Sequence, residues 1–408
     1  MQGWKRGRAI FALTFVLVAP TSAWAQVVLP AETSPLNAIK RLFCANFDAN
    51  TFFAQSVGGG PVITPVSTNL VNRVLFQSQT FPSVSTAAGF TFTWAGGAPA
   101  ASELYGPLFG DRALTNGKNK LSVTMSFQQL RWSSLDGQRI RTDKQGLNWG
   151  DSNPVGLLPS DPYDGNCKIN INSRMLMFAL NYGLTRRLDF GVGLPLVHTE
   201  VTGTSEIDPT GAVTVGNLPR NEYAVSGQAS GIGDVSLGLK FGVVESGDFH
   251  VALRGGATLG TGSADKMTGT GQSVLTGLLA TTWERGPVSI HGQLGYSGAT
   301  GESDPASPLK VGVFNEFNYM VGLDYAAIPE RLTLGTELVA RHLIDTPGFD
   351  ASSLTANIKS INVYFITAGG KVRLVQRLLA TAYLLIPVGS DGLNPNRPTF
   401  NGGLNYVF

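Results

Sequence analysis

Apolar and polar residues alternate with a period of two along most of the chain, in segments of ten to seventeen residues. That is the pattern of a strand with one apolar and one polar face. The last ten residues show it most cleanly, with Phe400, Gly402, Leu404, Tyr406 and Phe408 on one face and Asn401, Gly403, Asn405 and Val407 on the other. Val235, Leu237, Leu239, Phe241 and Val243 alternate in the same way with Asp234, Ser236, Gly238, Lys240 and Gly242. The alternation predicts twelve strands, near 120–132, 174–184, 188–201, 231–244, 249–261, 272–283, 288–299, 311–326, 331–344, 359–375, 378–388 and 399–408. Very short connections (185–187, 245–248, 284–287, 327–330, 376–377) take turns with longer ones (133–173, 202–230, 262–271, 300–310, 345–358, 389–398).

A β-sandwich shares the alternation but not this asymmetry of connections. Short turns on one side, long loops on the other and an even strand count describe an all-β fold, a transmembrane antiparallel up-and-down β-barrel of the bacterial outer-membrane type. A strand in a bilayer has to pair every N–H and C=O with a neighbour, so the sheet must close. Each segment has the ~9–11 residues needed to cross at a tilt. After Gln26 no apolar run reaches the ~18 residues of a spanning helix. The C-terminal Tyr406 and Phe408 resemble the assembly signal read by the barrel-assembly machinery.

This topology puts the tight turns in the periplasm and the long loops outside the cell. It makes 120–408 the barrel and 26–119 an N-terminal periplasmic or lumen-plug segment. That segment is less regular, with Gly58–Gly60 and one clean alternation, Phe90, Phe92 and Trp94 against Thr91 and Thr93. A further strand pair there would raise the count to fourteen. Residues 1–25 read as a cleaved signal peptide, with basic Lys5, Arg6 and Arg8, an apolar run from Ala9 to Ala19 and an Ala23-Trp24-Ala25 cleavage site. An uncleaved anchor is the other reading, disfavoured by the short run. The cell outer membrane is the expected location.

Charge changes the picture little. Lys+Arg 30 against Asp+Glu 28 leaves +2, which excludes a nucleic-acid binder. The leader takes away three basic residues and no acidic one, so the mature chain has 27 against 28. Charged residues are 14% and glycines number 50, which fits a Gly-rich β protein.

Gly231-Ile232-Gly233-Asp234-Val235 with Leu237-Gly238-Leu239-Lys240, the stretch Tyr182 to Asp189, and Gly191-Val192-Gly193-Leu194-Pro195 resemble the outer-membrane transporter family of meta-pathway phenol-degradation proteins. Tyr105 to Ala113, leading to Gly117-Lys118, looks like the start of the barrel region in that family. The resemblance covers roughly 90–408 and rests on strand and turn motifs. It implies an outer-membrane barrel near aromatic-compound catabolism, with a small hydrophobic or aromatic solute as partner beside the surrounding outer-membrane lipid.

With the apolar face toward lipid, Lys240, His250, Arg254, His291, Gln293, Glu316, Asp324, Glu337 and Arg341 point into the lumen. There they either pair to hold a filled barrel together or form a constriction that selects solutes. Catalysis finds little support: His198, His250, His291 and His342 stand in no H-E-x-x-H run, and no G-x-S-x-G elbow occurs. No metal-ligand cluster and no cofactor motif appears. Cys44 and Cys167 either form a disulfide, fastening a plug from inside the barrel, or stay free. The expected function is a passive channel for small hydrophobic or aromatic solutes. The alternative is a structural or surface-interaction barrel with a closed lumen, whose loops 133–173 and 202–230 bind a partner. Trp132, Arg139, Arg141, Lys144, Trp149 and Tyr163, in or beside the first loop, would serve it.

Overall fold

The computed structural model describes residues 27–28, 34–44, 74, 77–78, 92–95, 98–101, 104–141, 147–149, 163–209, 221–300, 315–350, 355–395 and 397–408. The predicted leader 1–25 lies outside them. Thirteen long strands follow one another: β1 (Leu121–Trp132), β2 (Tyr163–Gly183), β3 (Leu188–Pro209), β4 (Asn221–Ile232), β5 (Val235–Ser246), β6 (Phe249–Leu259), β7 (Val274–Arg285), β8 (Val288–Ala299), β9 (Glu316–Ile328), β10 (Leu332–Asp350), β11 (Thr355–Val375), β12 (Leu378–Val388) and β13 (Thr399–Val407).

All the long strands but β4 form a closed antiparallel ring, each hydrogen-bonded to the next, and β13 pairs with β1 to seal it. The barrel is therefore twelve-stranded. The alternation around Phe92 does not enlarge it, because Phe92–Ala95 and Ala98–Ala101 pair with each other as a separate hairpin.

The outward faces expose large apolar side chains around the circumference, among them Phe127, Leu180, Leu239, Leu253, Leu275, Val321, Leu374 and Phe400. An apolar belt so continuous far exceeds the patches a soluble monomer tolerates, and it is what lipid requires. The terminal Tyr406 and Phe408 stack edge-on, 4.7 Å between centroids.

One predicted strand differs in kind. The segment near 231–244 belongs to a longer path, β4 and β5, interrupted at Gly233–Asp234. Both parts pair with β3, β4 along Leu196–Ile207 and β5 along Leu188–Gly193. Only β5 also pairs with β6, the last partners being Val235 and Leu259. Among the described residues, Val225–Ile232 have no strand on their second edge, so the wall is unlaced there on the long-loop side. The break is held open by side chains. The Asp234 carboxylate accepts from Gly262 N (2.8 Å), Thr270 N (2.7 Å) and Thr270 Oγ1 (2.9 Å), and Thr261 Oγ1 accepts from Val235 N (2.9 Å). A Cβ on Gly233 would stand 2.8 Å from Thr268 O, so only glycine fits this corner. The family-like Gly-Ile-Gly-Asp run is the device that breaks the strand.

Candidate functional site: the barrel interior

The lumen is filled from the N-terminal side by two kinds of chain. Near the tight turns, residues 104–118 cross the barrel as an irregular belt. Irregular backbone has no ladder of its own, so its polar groups must find partners on the wall. Lys371 Nζ donates to Tyr105 O (3.3 Å) and to Pro107 O. Glu337 accepts from the N–H groups of Leu108 and Phe109, Gln293 Oε1 from Asp111 N (3.0 Å), Thr282 Oγ1 from Ala113 N (3.0 Å) and Asp189 Oδ2 from Asn116 N (2.8 Å). Tyr105 Oη reaches the Glu330 carbonyl in one tight turn, and Thr115 Oγ1 reaches Arg186 O in another.

The belt also carries charge. Asp111, buried, meets Arg254 Nη1 at 2.7 Å and Lys240 Nζ at 3.4 Å. Lys240 additionally donates to Arg112 O (3.3 Å) and Leu114 O (2.7 Å). Burial pushes the Asp111 carboxyl up, but Lys240 and Arg254 outweigh it and hold the group below its ordinary value.

Towards the long loops the interior is mostly apolar, with the Glu316–Arg341 pair as its charged exception. Trp132, Ile171, Val201, Leu343, Val363 and Phe365 face inward with almost no exposure. They belong to one cluster with Leu36 and Ile39 of the helix α1 (Pro35–Cys44). Ser34 precedes the helix and accepts from Asn37 N at 3.4 Å as its N-cap, while its own Oγ donates to Asp265.

The structure places all nine predicted lumen residues on the inward face, though they do not form one ring. Lys240, Arg254 and Gln293 grip the belt. Glu337 joins them, and His291 sits between Asp324 Oδ2 (3.3 Å) and Glu337 Oε1 (3.4 Å), at ion-pair distance without hydrogen-bond alignment. Glu316 and Arg341 pair with each other towards the loops, Arg341 Nε to Glu316 Oε1 at 2.8 Å. His250 stands apart, facing inward from β6. The sequence reading missed the belt-binding side chains Thr282, Asp189, Lys371 and Thr333. Their signal was available, a polar residue at an inward position, but its partner was not.

Cys167 is a free, buried thiol, and the side chain of Cys44 lies outside the described ones. Buried among apolar neighbours, Cys167 packs as a small hydrophobe. Of the first outer loop, Lys144 lies outside the described residues, Trp132 points into the apolar cluster and Arg139 and Arg141 line an outward groove. His198 Nδ1 meets Ser230 Oγ at 2.8 Å on the outward face, a contact across neighbouring strands. No cluster of His, Cys, Asp and Glu able to hold a metal occurs among the described residues.

None of the curated proteins matches this chain. Among solved structures, an outer-membrane channel from Pseudomonas putida F1 superposes with a TM-score of 0.47 at 12% identity, over 73% of this chain and 98% of that one. The toluene transporter TbuX of Ralstonia pickettii gives 0.38 at 12% identity, over 81% and 99%. The monoaromatic hydrocarbon channel TodX, as a deltaS2S3 mutant, gives 0.33 at 9%, over 71% and 90%. Over residues 164–354, from β2 to the end of β10, the chain matches the family described as "Putative MetA-pathway of phenol degradation", the family its strand and turn motifs resemble.

Proposed function

We propose that this protein is an outer-membrane channel through which small hydrophobic or aromatic solutes diffuse passively, with residues 26–119 as its plug. The observation that carries the reading is the apolar outer half of the interior. A sugar or ion entering between Ile171, Val201, Leu343 and Phe365 would lose its water without gaining hydrogen bonds, at a cost of several kcal/mol. An aromatic solute meets no such cost, since burial of apolar surface is favourable. The match to a phenol-degradation family supports the same solute class.

The unlaced edge of β4 supplies a way between this interior and the lipid. It is covered by the loop 260–273, where Thr268 packs against Gly231. A solute passing there never has to cross the belt's network of charges. In this reading the leader 1–25 directs export, and Tyr406 and Phe408 present the chain to the barrel-assembly machinery. No catalytic step belongs to it.

The test is uptake by vesicles containing the refolded mature protein, comparing phenol and toluene with sugars. A Cβ at Gly231 would lie 3.8 Å from Thr268 Cβ, the spacing of a disulfide. Gly231→Cys with Thr268→Cys, in a background with Cys44 and Cys167 replaced by Ser, ties the loop to the strand edge. Aromatic uptake is expected to fall on oxidation and return on reduction, with sugar uptake low throughout. Absence of aromatic flux in every form would favour the closed structural barrel.

A further inference from the structure

Just above the lipid-facing belt, on the outside of the wall where β13, β1 and the first loop meet, four arginines surround one cavity of about 390 Å³. They are Arg131, Arg139, Arg141 and Arg397. We propose that this groove binds a phosphate-bearing lipid headgroup of the outer leaflet, the phosphorylated sugar of a lipopolysaccharide. The proposal rests on the orientation of the barrel and is independent of whether the lumen conducts.

The level of the groove follows from register. Phe127 pairs with Leu176, Leu176 with Leu196 and Leu196 with Ile232, so these four outward side chains form one apolar row across four strands. One outward step towards the loops, the row becomes Gln129, Arg174, His198 and Ser230. One step further stands Arg131, which pairs with Asn172. The change from apolar to polar and cationic within two residues is the boundary between hydrocarbon and headgroups. The groove spans it: its floor is Phe127 and Phe400, 42% and 61% exposed, and its wall is the arginines.

The cations are pre-positioned. Arg139 sits on a miniature sheet in which Ser134–Leu135 pairs with Gln138–Arg139 on one side and with Leu393–Asn394 on the other. Its turn uses Asp136 and Gly137 at φ 48 and 80, and Asp136 exchanges hydrogen bonds of 2.9 Å with Gly392. That clamp holds the first loop against the segment leading to Arg397. No carboxylate lines the groove, and no ion pair among the described residues engages Arg131, Arg139 or Arg397. Arg131, Arg139 and Arg397, gathered without a carboxylate in the groove, repel one another. Guanidinium groups are the side chains that recognise phosphate by paired donors. A free phosphate would answer the charge but leave the phenyl floor unused, whereas a phosphorylated glycolipid supplies the anion and the acyl chain together.

The full-length protein in mild detergent, titrated with bisphosphorylated lipid A and with its dephosphorylated form and followed by native mass spectrometry, tests this. Wild type should retain the phosphorylated lipid and bind the dephosphorylated one at least about tenfold more weakly. Arg131→Gln with Arg397→Gln should lose the difference, while keeping the heat-modifiable gel migration of a folded barrel. Arg131→Lys should recover only part of it, since an ammonium lacks the fork. Equal binding of the two lipids, an unaffected double variant, or displacement by inorganic phosphate at the lipid's own concentration would each overturn the proposal. So would capture by an acidic peptide or polysaccharide in preference to the lipid.

Discussion

The two halves of the barrel interior face different occupants, and the wall differs accordingly. Towards the tight turns the occupant is irregular chain, whose N–H and C=O groups have no partners of their own. There the wall presents Lys371, Glu337, Gln293, Thr282 and Asp189. Towards the loops the occupant includes a helix, which satisfies its own backbone, and the wall needs only apolar complement from Ile171, Val201, Leu343 and Phe365. The polarity of a barrel wall thus reports the secondary structure of what it encloses, beyond the chemistry of any solute.

β11 crosses the boundary in a single step, with Phe365 and Thr367 as successive inward residues. Phe365→Asp should have the largest effect, above the roughly 2–7 kcal/mol of an unpaired neutral polar group, because Arg341, the inward cation on the adjacent strand, is already paired with Glu316. Failure to reach the heat-modifiable form during refolding would register it. Asp111→Asn should come next, at about 3–5 kcal/mol, since Lys240 and Arg254 are left buried beside a neutral group. Loss of protease protection at residues 104–118, with the barrel intact, is the expected readout. Uniform unfolding instead would show that belt and wall are one cooperative unit.

Acid should act on the same pair. The folded Asp111 carboxyl titrates below its unfolded value, so its contribution is complete above about pH 3.9 and disappears as the pH falls through the lower folded value. Belt protection measured by hydrogen exchange should therefore hold from neutral pH to about 4 and decline only below. Protection that fades near neutral pH would assign the belt's hold to another group. The smallest effect should be Thr367→Val, which removes one 3.2 Å hydrogen bond to Glu337 and costs about 1 kcal/mol in urea unfolding. Effects of similar size at Phe365 and Thr367 would break the comparison between the halves.

Much of this was legible in the chain. Period two assigns each residue of a strand to lipid or lumen, and Lys240, His250, His291, Asp324 and Glu337 are inward for that reason alone. The partner across the barrel is a different matter. Arg341 meets Glu316 because β9 and β10 are in one particular register, and His198 meets Ser230 for the same reason between β3 and β4. The fourteen-strand option failed at Phe92–Ala95 because alternation marks a strand without saying which sheet it joins.

What the sequence determined by itself was the class of fold, the strand count and the face of each side chain, since all three follow from local periodicity and from the bilayer's demand for a closed, satisfied sheet. Only the tertiary structure decided the break at Gly233–Asp234, the path of the belt and the grouping of Arg131, Arg139, Arg141 and Arg397. Each joins residues far apart in the chain through register and loop packing, and the position of a residue in a strand carries no information about which distant backbone lies opposite it.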